Sequence, residues 1–410
     1  MTRGRTEQRV LVLVTLALVA FGLVMVFSAT SAAAAIVNGD PMTYLVKQSI
    51  YALAGVVLLL LMSHLDYHAL RRLAPMLLVV ALVLCLAVLV VAPAVNGARR
   101  WFVVGPLSVQ PSELAKLALC LWVCARLSRR QPPRTLAELI KPLGIVTALF
   151  CGVIVLEPDL GTSITIVVMV GGILLVSGVP LRLLAFATTL SLGIGAAAVW
   201  AEPYRRARFF SFLHPTADPQ GAGYQIHQAM IGIGSGQLPG VGLGNGPQSS
   251  FYLPESHTDM IAASIGEQLG FIGLALLAAA FVVFAWAGFR VALTCRDPFG
   301  KRLAAGITTL VCGQAVINLA AVLGVAPLTG IPLPFVSYGG SSLIVLLTAV
   351  GVLLNIAVNE RVVEARVRDR GRRDGRARPT GTRRRGGAAR TRSQRDVRRV
   401  ARSRRVATGS

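Results

Sequence analysis

Residues Met260–Gly288 read "MIAASIGEQLGFIGLALLAAAFVVFAWAG", 29 residues with a single ionisable side chain, Glu267. A bilayer core is crossed by ~20 apolar residues in a helix. The run is longer than a buried strand and has no alternation, so it predicts a membrane-spanning helix. Working outward, similar runs occupy 10–30, 46–63, 75–93, 112–128, 140–157, 160–178, 181–200, 304–324 and 340–358. The chain is 54% hydrophobic with mean hydropathy +0.66 over its 410 residues. These features predict an all-α polytopic integral membrane protein with ten transmembrane helices. A soluble globular domain is excluded. The first run has a basic start and a "SAAAA" end, but its apolar stretch is longer than the ~7–15 residues of a signal peptide core.

Charge orders the chain. Arg361–Ser410 carries 19 arginines against four acids, which is +15 of the net +23. This segment, 361–410, has almost no apolar residue beyond Val and Ala and reads as a disordered tail. Its partners by charge are anionic membrane lipids or an acidic protein. No folded reader supports nucleic acid. Within the body, residues 1–9 and alternate connections hold 15 basic residues, and the other connections hold six: Lys47, Arg99, Arg100, Arg205, Arg206 and Arg208. The positive-inside rule therefore places both termini in the cytoplasm. The membrane domain is 10–360, and its long extracytoplasmic loop, 202–258, lies between the seventh and eighth spans.

That loop ends in "YLPESHTDM" (252–260), which sets Glu255, His257 and Asp259 at the mouth of the eighth span. Asp259 is a candidate base; equally, Thr258 or Asp259 is an ordinary N-cap, and a helix N-terminus would lower its pKa. Glu113 and Lys116, three apart in "QPSELAKL", share a helix face as an ion pair or a cavity wall. Glu267 falls ~12 Å below Asp259 along its helix and needs a partner or water. Arg99 and Arg100 in "NGARRWF" suit phosphate through the guanidinium fork, or anchor the interface with Trp101 and Phe102. In "EPDLGTS", Asp159 reads as a helix cap. "GSGQLPGVGLGNG" (234–246) lacks the strand and the Gly-Lys-Ser/Thr of a nucleotide loop and reads as turns along the membrane surface. "PLTGIPLPFVSYGGSS" (327–342) is too apolar for a plain connector. It predicts burial at the cavity mouth, with Ser337, Gly339 and Gly340 as substrate contacts and Ser341 and Ser342 as caps. The six cysteines form neither a disulfide pattern nor a metal site.

Taken together, "VMVFSAT", "NGARRWF", "QPSELAKL", "EPDLGTS", "DPQGAGYQIHQAMIGIGSGQLPGVGLGNG", "YLPESHTD", "GEQLG" and "LPFVSYGGSS" resemble, in order, the SEDS family (shape, elongation, division and sporulation). The resemblance covers roughly 10–360 and leans to the division branch through "GYQIHQ" and "VGLGNGPQ", although "GIPLPF" leans to the elongation branch. Met260 and Gln268 depart from the commoner Phe and Glu. The resemblance implies the SEDS fold, polymerisation of lipid II into glycan strands in septal wall synthesis at the bacterial cell membrane, and as partners a class B penicillin-binding protein and other divisome proteins, with the division-ring tubulin homologue FtsZ as the acidic partner of the basic tail. It implies that Asp259 is the essential aspartate and that Glu113 and Lys116 are the polar pair of the fourth helix. His257 and Thr258 are candidate substrate contacts.

The chemistry fits this set. A sugar hydroxyl displaces a diphosphate with inversion, which requires one carboxylate base and cations for the leaving group. Asp259 with Arg99, Arg100 or Lys116 supplies them, and a divalent cation is a further possibility. A lipid II flippase, an elongation-type polymerase and a non-enzymatic scaffold are the competing readings.

Overall fold

The computed structural model describes residues 3–36, 42–93, 98–105, 107–214, 220–221, 223–248 and 252–376. The chain divides into two compact units, Met1–Val363 and Glu364–Ser410. Thirteen helices are described: α1 (Arg3–Ile36), α2 (Met42–His64), α3 (Tyr67–Val91), α4 (Pro111–Ser128), α5 (Leu136–Leu139), α6 (Ile145–Leu156), α7 (Leu160–Val176), α8 (Leu181–Ala201), α9 (Pro203–Leu213), α10 (Tyr224–Gly236), α11 (Ile261–Thr294), α12 (Pro298–Val322) and α13 (Gly340–Arg376). A π-helical turn, Ile140–Gly144, joins α5 to α6.

Among the described residues, eight helices are long and apolar enough to cross a membrane. The other two expected spans coincide with α7, apolar but 17 residues long, and α4, 18 residues carrying Glu113, Lys116 and Arg126. Helices α12 and α13 are the most enclosed, whereas α8 has no buried residue. The core follows from composition. Phe284, Phe299, Ile166, Met169, Leu119 and Leu353 meet between α4, α7, α11, α12 and α13.

The all-α expectation needs one correction. An antiparallel hairpin, β1 (Phe102–Val104) and β2 (Leu107–Val109), sits between α3 and α4. The Tyr51 hydroxyl of α2 anchors it by accepting from Ser108 N at 3.0 Å. Helix α13 runs to Arg376, so the first turns of the segment read as a disordered tail are helical. Residues 377–410 of that tail lie outside the described residues.

The decisive departure is inside the eighth span. Helix α11 is broken at Gly270 (φ 65°, ψ −162°). A left-handed residue removes the bonds that the N–H groups of Phe271 and Ile272 would make to the carbonyls of Glu267 and Gln268. In lipid each orphaned group costs several kcal/mol. All four are satisfied by the glycine-rich segment. Phe271 N donates to Gln237 O (2.8 Å) and Ile272 N to Leu238 O (3.3 Å); Val241 N donates to Glu267 O and Gly242 N to Gln268 O, both at 3.0 Å. The stretch expected as surface turns is thus threaded against a broken helix. Its glycines are needed for contact: a Cβ on Gly240 would lie 2.1 Å from Gln268 O.

Candidate active site

Helices α4, α7, α11 and α13 all begin at one end of the bundle, and hydrogen bonds tie these starts together. Gln110 N donates to Ser341 Oγ (3.1 Å) and Gln110 Nε2 to Asp159 Oδ2 (3.1 Å). Tyr338 N donates to His257 O at 2.9 Å. Four positive helix ends therefore meet there, a setting that favours an anion. Asp159 caps α7 by accepting from Thr162 N at 3.0 Å, as expected. Ser341 does not cap α13; its hydroxyl is spent on α4.

Asp259 closes the turn 254–260. Its main chain is fixed by Asn318 of α12, whose Nδ2 donates to Asp259 O (2.7 Å) and Ile331 O (2.8 Å). The buried segment around Ile331, Leu333 and Phe335 is thereby held against the turn, as expected for 327–342. The carboxylate does not cap α11. That position is Met260, which makes no side-chain cap bond. Thr258 Oγ1 lies 3.3 Å from Asp259 Oδ1 and 2.7 Å from Glu255 Oε2. The expected lowering of the Asp259 pKa is reversed. Burial pushes it up to about 6, opposed by Arg208 and reinforced by Glu255. Desolvation outweighs the helix end because the carboxylate is half-buried and does not sit at the cap position of α11.

His257 packs edge-on against Tyr44 of α2 (4.9 Å between centroids) and beside Tyr338 (5.6 Å). Burial lowers its pKa, so the imidazole is neutral at physiological pH. Thr258 is half-buried between the two carboxylates.

Glu113 and Lys116 form a fully buried ion pair, Nζ to Oε1 2.9 Å. Lys116 also donates to Gln314 Oε1 (2.9 Å), and Gln314 Nε2 to Pro332 O (2.9 Å). Gln314 and Asn318 are four apart on one face of α12, so the pair on α4 is connected through α12 to the turn bearing Asp259. Glu113 Oε2 has no hydrogen-bond partner among the described residues. Lys116→Met, which strands that buried carboxylate, is expected to lose about 3–5 kcal/mol. Lys116→Met with Glu113→Gln should recover most of it, as read by thermal unfolding in detergent.

Other expected contacts have different occupations. Arg100 bonds the carbonyls of Glu157 (2.8 Å) and Pro158, and Arg99 bonds Leu89 O at 3.2 Å. Neither is brought to Asp259, because the hairpin holds their segment against the α6–α7 turn. Glu267 accepts from Gln248 N at 2.8 Å and so secures the threaded segment. Gln268 accepts from Ser28 Oγ of α1 at 2.5 Å. Ser337 Oγ accepts from Leu333 N at 2.7 Å within its own turn. Gly340 lies against the Tyr51 ring, where a Cβ would approach to 2.6 Å, whereas Gly339 has only ordinary contacts. Arg208, Gln314, Asn318 and Tyr44 were not legible as site residues. Arg208 carried only a topology count, and the two amides lie in an apolar run whose periodicity could have marked one polar face. Among the described residues no group of three His, Cys, Asp or Glu side chains is placed to hold a metal ion. None of the six cysteines forms a disulfide.

The end of the bundle thus presents a carboxylate titrating near neutrality within an electropositive surround. The family model for the FtsW/RodA/SpoVE cell cycle proteins matches residues 8–362. A probable peptidoglycan glycosyltransferase FtsW from Trichlorobacter lovleyi is 39% identical over 351 residues, 85% of this chain and 92% of that protein. Stage V sporulation protein E of Bacillus subtilis is 39% identical over 360 residues, 87% of this chain and 98% of that protein. Among solved structures, a chain of a peptidoglycan synthase complex studied for the coordination of polymerization and crosslinking aligns with TM-score 0.71 at 32% identity. It covers 85% of this chain and 97% of that one. The rod shape determining protein RodA of Thermus thermophilus aligns with TM-score 0.64 at 30% identity, covering 85% and 96%. With its membrane helices and ordered motifs, the chain belongs to the FtsW/RodA/SpoVE family, the SEDS proteins.

Proposed function

We propose that this protein is a multi-pass membrane peptidoglycan glycosyltransferase that polymerises lipid II. The relatives named for that activity support the reading, and the observation that carries it is Asp259. Its carboxylate is half-buried, is not used as a helix cap and is raised to about 6. In the reaction the acceptor sugar's 4-hydroxyl gives its proton to Asp259. Its oxygen bonds the donor's anomeric carbon from the face opposite the leaving group. The bond from that carbon to the diphosphate oxygen breaks, and undecaprenyl diphosphate departs with the electron pair. One displacement inverts the α-linkage to β. A general acid is unnecessary because the diphosphate is a good leaving group.

Asp259 faces the extracytoplasmic side in this reading, with both termini cytoplasmic, so lipid II meets it after translocation. The similarity to FtsW and stage V sporulation proteins favours the division branch, with a class B penicillin-binding protein as partner. A divalent cation would add counter-charge for the leaving diphosphate. The basic tail would bind anionic lipid or the division ring.

The flippase reading gains one observation, the broken helix α11, since transporters place substrates at such breaks. Here the break is filled by the backbone of Gln237–Gly242, which leaves its polar groups no substrate to hold. Fluorescent lipid II given to the purified protein with its transpeptidase partner should yield glycan chains. Lipid II crossing liposomes with no chains formed would overturn the reading in favour of the flippase.

A base must be ionised to act, so activity is expected to fall as pH drops through about 6. A pH–rate profile of chain formation measures that acid limb.

A further inference from the structure

We propose that Arg208, together with the opening at Gly330, forms the subsite for the diphosphate of a lipid-linked sugar beside Asp259. The inference rests on the glycosyltransferase reading and names the cation that the chemistry requires.

The arginines at this end are not equivalent. Arg99 is spent on Leu89 O and Arg100 on the carbonyls of Glu157 and Pro158. Arg205 is spent on Ala198 O (3.1 Å) and Val155 O (2.7 Å). A guanidinium saturated by main-chain carbonyls has a structural task and little left for a ligand. Arg208 on α9 is half-buried and makes no side-chain hydrogen bond or ion pair among the described residues. It rests over the Tyr204 ring, 5.0 Å from its centroid. Five donors held partly out of water without an acceptor are costly.

The fork faces Asp259. A Cβ built on Gly330 would lie 3.8 Å from Arg208 Nη1 and 3.9 Å from Asp259 Oδ2. The two charges therefore stand on either side of a residue with no side chain, at φ 70°, without closing into an ion pair. The remaining neighbouring side chains have partners of their own. Asn318 of α12 is turned to main-chain carbonyls, Thr258 bridges to Glu255, and His257 is packed between tyrosines and neutral. Glu255, on Asp259's own turn, is the other charged group facing it.

A diphosphate suits the gap because a planar fork can bind two phosphate oxygens at once. It also suits the sequence of events. When the acceptor hydroxyl's proton passes to Asp259, that carboxyl loses its charge. Arg208 then faces only the departing diphosphate, at the moment its negative charge grows.

The test uses the full-length protein with Arg208→Gln, Arg208→Lys and, as a control, Arg206→Gln. Arg206 is about 200° round the same helix. Inorganic pyrophosphate binding, read by thermal shift in detergent, is expected for wild type, Arg206→Gln and, more weakly, Arg208→Lys. It should be lost in Arg208→Gln with the unliganded melting temperature unchanged. This arm needs no catalysis, so it stands apart from the fate of the glycosyltransferase reading. In the polymerisation assay Arg208→Gln should raise KM for lipid II about tenfold or more. It should also move the acid limb to higher pH, because removing a nearby cation makes Asp259 easier to protonate. Arg208→Lys should leave that limb near its wild-type position. Wild type failing to bind pyrophosphate, or binding it as well after Arg208→Gln, overturns the subsite. An acid limb superimposable on wild type in Arg208→Gln does so too.

Discussion

Asp259→Asn is expected to reduce glycan polymerisation by about 10²–10⁴-fold, the usual contribution of a positioned general base, without loss of folded protein. Asn keeps the shape and cannot take a proton. The rival role, a helix cap, predicts the opposite. Asn is as good a cap as Asp, so the substitution would then leave activity intact. The structure also fixes the sign of the stability change. Asp259 titrates at about 6 in the folded chain against an ordinary 3.8. An acid whose pKa is raised by folding costs stability in full above its folded pKa; the cost shrinks as pH falls below that value and is gone only at the unfolded pKa. The two-unit shift has a ceiling of about 3 kcal/mol; discounted for partial exposure, about 1–2 kcal/mol remains. Asp259→Asn should thus melt higher than wild type at pH 8, with the gap narrowing below pH 6 and closing near pH 4. A variant with full activity, or one destabilised at pH 8, would refute this account of Asp259.

The second large effect lies away from the chemistry. Gly240→Ala is expected to cost about 3–5 kcal/mol or prevent accumulation altogether, placing it in the tail of single-site effects. Gly240 has φ 83°, and a Cβ there would stand 2.1 Å from Gln268 O and 2.6 Å from Leu269 Cα, both main chain. Backbone cannot rotate away as a side-chain tip can. Relief requires pulling Val241 and Gly242 off the carbonyls of Glu267 and Gln268, and those groups then have no partner in a membrane. Gly244→Ala is the internal comparison. It has a similar φ, 79°, but nothing within 4 Å of its Cβ position, so it should show only the conformational penalty of about 1–2 kcal/mol. Thermal unfolding of the two variants in detergent separates backbone interlock from dihedral strain; equal losses would argue against the interlock.

Why some features were readable in advance follows from the range of the forces involved. Long apolar runs report burial in lipid residue by residue, so every expected span coincides with helical residues. Asp159 was legible as a cap because capping is settled within three residues. The Glu113–Lys116 pair was legible because three residues make one helix turn. Arg208 was not, since its only local signal is a charge among other arginines, and its meaning comes from facing Asp259 across Gly330.

By itself the sequence determined a bundle of apolar helices, its ordered family motifs and the placement of Asp259 at a helix mouth, for these are set by composition and short-range spacing. Tertiary structure alone decided that α11 breaks at Gly270, that the backbone of Gln237–Gly242 mends it, and that Asn318 and Gln314 connect the turn bearing Asp259 to the buried pair. It also decided the direction of the Asp259 pKa. Sequence proximity to a helix N-terminus argued for a strong acid. Packing by neighbours remote in the chain desolvated the carboxylate instead, and in that contest burial outweighs the dipole.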